Sequence, residues 1–214
     1  MHISEGMLPT ELLIGGIAAS LLIVALCARN LDTDEIPKLS VISSVFFVAD
    51  LIHVPFGPTS VHLMLTGLAG IILGPRAYLA VFLGVVMQAF LLGHGGIFVI
   101  GINSLMLGGG ALTAYAIWSL RQYTPALPHK EFIFGALAGA ASIFTSGIIM
   151  ASALLFARQE FFANAAMVLF AHLIIMALEA VVVGSCANFL FKVKPELLAG
   201  FKPLVPAEKI RARA

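Results

Sequence analysis

The sequence predicts an all-α, polytopic membrane protein, and its composition, its charge content and the spacing of its apolar segments together support that prediction. Of the 214 residues, 60% are hydrophobic and only 11% are charged. Soluble domains are about 45–50% apolar, glycine included, and about 25% charged. Since a membrane-spanning helix needs about 20 mostly apolar residues, there is room for at most about eight to ten spans and none for a separate soluble domain. No basic patch with interleaved aromatic residues is present, which argues against nucleic-acid binding.

The apolar segments are separated by glycine, proline and charge clusters, and this punctuation predicts a bundle of about seven transmembrane helices. The predicted spans cover, in order, residues 8–28, 39–53, 60–73, 77–92, 102–120, 132–156 and 161–191. We therefore expect one membrane-embedded domain over residues 1–192, followed by a basic tail over residues 193–214. Cys27 and Cys186 lie in apolar segments without a CxxC pattern, which favours a packing role for both.

The basic residues predict the orientation of the chain. With seven spans the termini lie on opposite sides, and eleven of the twelve Lys and Arg residues then fall on the C-terminal side. These eleven are Arg29, Lys38, Arg76, Arg121, Lys130, Lys192, Lys194, Lys202, Lys209, Arg211 and Arg213, whereas Arg158 alone falls on the other side. Because cytoplasmic loops of membrane proteins carry an excess of Lys and Arg, we expect the N-terminus outside and the tail in the cytoplasm.

Eight polar side chains fall within or at the ends of the apolar segments, where they are costly unless they face a cavity or one another. They are Asp50, His53, His62, Gln88, His94, Asn103, His172 and Glu179. Asp50, His53, His62 and His94 fall at those ends of spans two to four that are predicted to face outside. This clustering indicates a small polar pocket open to the exterior. A structural role is the alternative for each histidine taken singly, and the asparagine could be a helix N-cap. The last two are seven residues apart, so they share a helix face and could instead serve helix–helix contacts.

The N-terminus offers a chelating group of its own. The Met1 amine, the His2 amide nitrogen and Nδ1 of His2 form fused five- and six-membered chelate rings that lie in one plane. A fourth nitrogen would complete a square-planar site, which is typical of Ni²⁺ and Cu²⁺, whereas Co²⁺ fits less neatly. We expect Met1 to keep its free amine, because no cationic signal-peptide region precedes the first apolar segment and because His2 is too large for the usual removal of the initiator methionine. A Met-His start alone is also common by chance.

Four motifs carry a family resemblance. They are MHISEGMLP at residues 1–9, PFGPTSVHL at residues 55–63, QAFLLGHGG at residues 88–96 followed by GIN at residues 101–103, and His172 with Glu179 in the last helix. In this order they resemble the CbiM/NikM family, the substrate-binding membrane subunits of cobalt and nickel energy-coupling factor transporters. The resemblance extends from Met1 to about Lys192, which is nearly the whole chain.

The resemblance implies a site and its surroundings. It implies an N-terminal loop that folds into the bundle from outside, and a metal ion held by Met1, His2 and the imidazole of His62. Around these ligands it implies groups that hold the loop and orient the imidazoles: Gln88, His94 and Asn103, with Asp50, His53, His172 and Glu179 as further candidates. The implied cargo is Co²⁺ or Ni²⁺, without an organic cofactor.

The resemblance also implies partners in a prokaryotic cell membrane: a coupling transmembrane subunit, ATPase subunits and a small auxiliary membrane subunit of the CbiN/NikN type. The sequence contains no GxxxxGK[S/T] phosphate loop, so we expect that the chain is not an enzyme and leaves ATP hydrolysis to its partners. Glu5 and Val61 depart from some members of the family and favour cobalt slightly.

Two alternatives stay open at this point. A vitamin-binding subunit of the same transporter architecture would need an aromatic-lined pocket, although the chain has only three Tyr and one Trp. An intramembrane metalloenzyme is the other alternative, although the HExxH pattern of zinc proteases is absent.

Overall fold

Seven α-helices form most of the part of the chain that the structure, a computed structural model, describes: residues 2–52, 54–56, 59–124, 127–157 and 162–201. The helices are α1 (Thr10–Ala28), α2 (Ile36–Ala49), α3 (Thr66–Leu73), α4 (Ala77–Met87), α5 (Ile100–Ser119), α6 (Lys130–Ala157) and α7 (Phe162–Val193). The predicted all-α class is confirmed, apart from one short hairpin of β1 (Val54–Phe56) and β2 (Thr59–Val61).

Within these described ranges, five segments are long and apolar enough to cross a membrane. They are Thr10–Ala28, Thr66–Leu92, Ile100–Tyr123, Lys130–Ala157 and His172–Val193. By contrast, α2 has 14 residues and α3 has eight. At 1.5 Å per residue α3 is about 12 Å long, which is less than half the thickness of the hydrocarbon core. The number of seven membrane crossings therefore stays a prediction.

The second and third predicted spans have the wrong bounds. Helix α2 begins earlier than predicted, since Pro37 lies in the first turn, where a missing N–H costs nothing. It ends at Ala49, ahead of the proline-containing hairpin. The third span was predicted to begin at Ser60, but residues 59–61 pair with residues 54–56 as strands and the helix begins only at Thr66. Short apolar runs with β-branched residues suit either structure, and here the strand pairing prevails.

Helices α3 and α4 form an antiparallel pair, although the apolar segment Thr66–Leu92 is nearly continuous. The end of α3 meets the chain after α7, because the Ala199 amide donates to the Ile71 carbonyl oxygen at 2.8 Å. In the next turn, Arg76 donates to carbonyl groups at the end of α1, including that of Asn30 at 2.8 Å. The end of α4 instead contacts the N-terminal segment through Gln88. We call the end with His2 and Gln88 the site end, and the opposite end, with Arg76, the basic end.

Packing is closest between α5, α6 and α7, and α1 lies at the periphery. Glycines permit close approach: a Cβ on Gly67 of α3 would lie 2.8 Å from the Gly139 Cα of α6. At the basic end, Leu198 is buried, and the Ala199 carbonyl oxygen accepts from Trp118 and Arg121. The packed chain therefore extends to at least Phe201. Residues 202–214 of the predicted tail, and Arg158, lie outside the described residues.

Candidate metal centre

The His2 imidazole reaches the end of α4 and makes a hydrogen bond there. Its Nε2 lies 2.9 Å from Oε1 of Gln88, which is almost fully buried in the π-helical turn that follows α4. Because an amide oxygen only accepts, Nε2 carries the proton and donates, so the lone pair of the ring is on Nδ1. This is the nitrogen that a chelate with the preceding backbone amide requires.

The N-terminal segment is held by its backbone as well as by His2. Asn103 makes two hydrogen bonds to Ile3: its Oδ1 accepts from the Ile3 amide at 2.9 Å, and its Nδ2 donates to the Ile3 carbonyl oxygen at 3.1 Å. Ile3 itself is fully buried. Asn103 is therefore not a helix cap, since α5 begins at Ile100 and its N-cap residue is Val99.

A second clamp lies two residues further along the N-terminal segment. The backbone amide of Glu5 donates to the Gly95 carbonyl oxygen at 2.9 Å, and Oε1 of the Glu5 side chain accepts from the Phe98 amide at 3.0 Å. Gly95 and Gly96 both have positive φ, at 76° and 106°. The loop at residues 93–98 therefore forms the docking site of the N-terminal segment. It can do so because glycines tolerate a backbone with positive φ.

Asp50, directly after α2, brings two histidines together. Its Oδ2 lies 2.5 Å from Nδ1 of His94, and its Oδ1 lies 3.2 Å from Nδ1 of His62. The carboxylate is 3% exposed, whereas the His94 side chain is 34% exposed, so His94 lies toward the mouth of the site. Nδ1 of His62 also lies 3.3 Å from the Leu63 carbonyl oxygen, its hydrogen-bond acceptor, so this nitrogen carries the proton and the lone pair of the ring is on Nε2.

These groups surround a small cavity at the site end. Its polar lining consists of His2, Asp50, His62 and Gln88. Four apolar residues complete the lining: Phe46, Leu63, Met64 and Leu107. Sequence reasoning missed these four, because an apolar residue in an apolar helix gives no signal that separates cavity lining from packing.

Three histidines, His2, His62 and His94, lie around the cavity, and imidazole nitrogen suits a late transition metal. The rings of His2 and His62 are nearly parallel, with centroids 6.4 Å apart, and those of His2 and His94 are 6.0 Å apart. The set of three ligating atoms that lie within 4.8 Å of one another comes from His2, Asp50 and His94 and does not include His62. Burial, followed by repulsion from the N-terminal ammonium, lowers the pKa of His2 from 6.5 to about 3. The ring is therefore neutral at pH 7, which is the form that binds metals.

The remaining predicted site residues lie elsewhere. Glu179 is fully buried in α7, and its Oε1 accepts from the backbone amides of Met64 and Leu65. His172 is buried in α7 against Gly147 of α6 and does not line the cavity. Met1 and His53 lie outside the described residues.

Comparison with known proteins finds metal transport proteins among the chains that are similar to this one. A solved structure titled as a transition metal transporter superposes with a TM-score of 0.75 at 25% identity, and the match covers 100% of both chains. A protein of Haemophilus influenzae named as a metal transport protein is 28% identical over 92% of this chain and 97% of its own length. The fused nickel transport protein NikMN of Rhodobacter capsulatus is 27% identical over 99% of this chain and 68% of its own.

The family profile extends over almost all of the described chain. Residues 2–197 match the CbiM family, described as the cobalt uptake substrate-specific transmembrane region. The match includes His2 at one end and the whole of α7 at the other. The chain therefore belongs to the CbiM family of substrate-specific membrane proteins for cobalt uptake.

Proposed function

We propose that the chain is the metal-capturing subunit of an ATP-driven uptake transporter of the energy-coupling factor type, with Co²⁺ or Ni²⁺ as its cargo. The observation that carries the proposal is the docked His2. Its ring is neutral, its Nε2 is committed to Gln88, and its Nδ1 carries the lone pair. The transport of cobalt by the family and of nickel by the NikMN relative supports this choice of cargo.

The proposed ligands are four nitrogens. The Met1 amine, the His2 amide nitrogen and the His2 Nδ1 supply three, and Nε2 of His62 supplies the fourth. A planar set of four nitrogens suits Ni²⁺ well and also accepts Co²⁺. Glu5 and Val61 favour cobalt slightly over nickel, and the description of the family as one for cobalt uptake supports that preference.

The surrounding groups orient these ligands. Ligating histidines usually donate their other ring N–H to a carboxylate or carbonyl oxygen, which fixes the tautomer and the ring direction. Gln88 has this role for His2, and the Leu63 carbonyl oxygen has it for His62, with the Asp50 carboxylate beside the same ring nitrogen. His94 holds the other oxygen of Asp50, and Asn103 holds the backbone of Ile3.

The energy for transport comes from partner subunits in this proposal, because the sequence contains no phosphate-binding loop. The partners are a coupling transmembrane subunit, ATPase subunits and a small auxiliary membrane subunit. The fusion named NikMN supports an auxiliary subunit of the NikN type.

The site end faces the exterior in the proposed orientation. Arg29, Arg76 and Arg121 support it, since all three lie at the basic end and an excess of Lys and Arg is typical of the cytoplasmic side. Metal release then requires the N-terminal loop to withdraw, because that step removes three of the four ligands at once.

Addition of two glycines ahead of Met1 tests the proposal. We expect the extension to abolish detectable Ni²⁺ and Co²⁺ binding to the purified protein, because the added residues turn the Met1 amine into an amide and move the free amine out of reach of the chelate. Two glycines added after Ala214 are the matched control and leave binding unchanged. Undiminished binding by the N-terminally extended protein would contradict the proposed ligand set, and parallel nickel and cobalt uptake assays compare the two cargoes.

A further inference from the structure

We propose that Glu179 is a positioning residue for the metal site, because its buried carboxylate fixes the backbone that carries His62. The inference rests on the proposed role of His62 as a ligand and adds to it a residue on a different helix. Glu179 does not line the cavity, so it acts through the chain segment that it holds.

The contacts of Glu179 are made to backbone rather than to side chains. Its Oε1 accepts from the Met64 amide at 2.5 Å and from the Leu65 amide at 2.7 Å. The residue is 0% exposed, and Met64 is 2% exposed. An acceptor oxygen that binds two backbone N–H groups away from water is a strong anchor, because either group left unpaired there is costly.

The segment needs an external anchor because its own sequence provides none. Leu65 is the N-cap residue of α3, has φ of 52° and offers no side-chain oxygen to the helix. The N–H groups at a helix start have no partner within the helix and need a cap. Glu179 supplies that cap from α7 through Oε1.

A second buried tie holds the same helix start. Oγ1 of Thr66 and Oγ of Ser142 in α6 lie 2.6 Å apart. The start of α3 is therefore attached to both α6 and α7, the two helices that pack most extensively against each other.

His62 is thus held at two points. Asp50 orients its ring, and Glu179 fixes the backbone two residues further along the chain. Loss of the Glu179 acceptor would leave two N–H groups unpaired in the bundle, and that cost is avoided only if the segment moves. Movement of Met64 and Leu65 would displace the His62 ring relative to His2.

The test compares Glu179→Ala with Glu179→Gln in the full-length protein. Titration with Ni²⁺ gives the affinity, and the ligand-field absorption of the bound ion reports the geometry of its nitrogen donors. We expect E179A to bind Ni²⁺ about tenfold or more weakly, with an altered absorption spectrum, in the range that is usual for lost outer-shell partners. E179Q keeps an acceptor oxygen for both amides, so we expect its affinity within about threefold of the parent and its spectrum unchanged.

Ser146→Ala is the matched control, since it removes buried hydrogen bonds to the Met106 and Ser142 carbonyl oxygens but has no hydrogen bond to residues 62–66. We expect it to lower the unfolding midpoint and to leave the Ni²⁺ spectrum unchanged. Parent-like binding by E179A, or equal losses in E179Q and E179A, would overturn the positioning role. Failure of the parent protein to bind Ni²⁺, or indifference to an N-terminal extension, would instead contradict the proposed function.

Discussion

At the scale of single residues, His2 joins the docking of the N-terminal segment to the chemistry of the site. The ring is buried against Gln88, and burial keeps its pKa at about 3. An undocked segment would have the ordinary value of 6.5, so the docked form binds fewer protons between about pH 6.5 and pH 3. The stability of the docked segment therefore rises with pH in this window and is lost as the pH falls through it.

We therefore predict that the affinity for Ni²⁺ falls as the pH is lowered from about 7.5 to about 5.5, because the amine, amide and imidazole must all lose or lack protons when they bind metal. Isothermal titration at a series of pH values measures this dependence, and circular dichroism over the same range verifies that the helices persist. A flat affinity profile would contradict a site built from four nitrogens.

The sequence identified most of the polar residues of the site but not their contacts. Asp50, His62, Gln88, His94 and Asn103 stand out because polar groups are rare in apolar helices. Their partners are set by the tertiary structure. Nothing in the local sequence shows that Asn103 binds the backbone of a residue 100 positions earlier, or that one carboxylate serves two histidines.

At the scale of elements, the glycine loop at residues 93–98 determines where the N-terminal segment can dock. Gly93 and Gly95 have similar positive φ, at 69° and 76°. Their surroundings differ. A Cβ on Gly95 would lie 2.5 Å from Nδ2 of Asn103 and 3.2 Å from the Ile3 carbonyl oxygen, whereas a Cβ on Gly93 would meet no atom within 4 Å.

This pair gives a matched comparison. Both Gly→Ala changes introduce backbone strain of about 1–2 kcal/mol and should lower the free energy of unfolding, with a larger loss for Gly95→Ala because its Cβ also clashes with Asn103. We expect only Gly95→Ala to weaken Ni²⁺ binding by about tenfold or more, which corresponds to about 1.4 kcal/mol, because it alone displaces the clamp between Asn103 and Ile3. Equal affinities of the two variants in a Ni²⁺ titration would show that the clamp does not contribute to the site.

The long helices could be predicted from the sequence, whereas the short elements could not. Helices α1, α5, α6 and α7 follow the predicted spans within a few residues, because long apolar runs allow few alternatives in a membrane. The hairpin of β1 and β2 and the late start of α3 depend on pairing between residues 54–56 and 59–61. Six residues contain too little periodicity to distinguish a strand from a helix.

At the scale of the whole molecule, the two ends of the bundle differ in composition, and each end holds a different segment of the chain. The site end holds the N-terminal segment through His2, Ile3 and Glu5. The basic end holds the chain after α7 through Trp118 and Arg121, and Arg121 also stacks on the Trp118 ring at 3.9 Å. The N-terminal segment and the chain after α7 are therefore held at opposite ends of the bundle.

Withdrawal of the N-terminal loop can be tested with a reversible crosslink. The Glu5 side chain contacts the Phe98 backbone at the exposed surface of the site end, so a Glu5→Cys and Phe98→Cys pair can be joined by a short, reducible bis-methanethiosulfonate linker in a background that lacks Cys27 and Cys186. We expect the crosslinked protein to bind Ni²⁺ but to support no uptake in the assembled transporter, and we expect a reductant to restore uptake.

The single-cysteine variants are the controls, and in intact cells both should react with a membrane-impermeant maleimide if the site end faces outside. Undiminished uptake by the fully crosslinked protein would contradict release by withdrawal of the loop, and labelling only after lysis would contradict the orientation.

The four hydrogen bonds that Ile3 and Glu5 make also oppose release of the metal ion. They join groups of the protein alone and order the docked segment without a metal ligand among them, which lowers the ordering that capture must bring about. The same four bonds must break before the ion can leave, at about 1 kcal/mol each. In the proposed transporter, a site held by these bonds is therefore a slow spontaneous donor, and energy from the partner subunits would serve to break them.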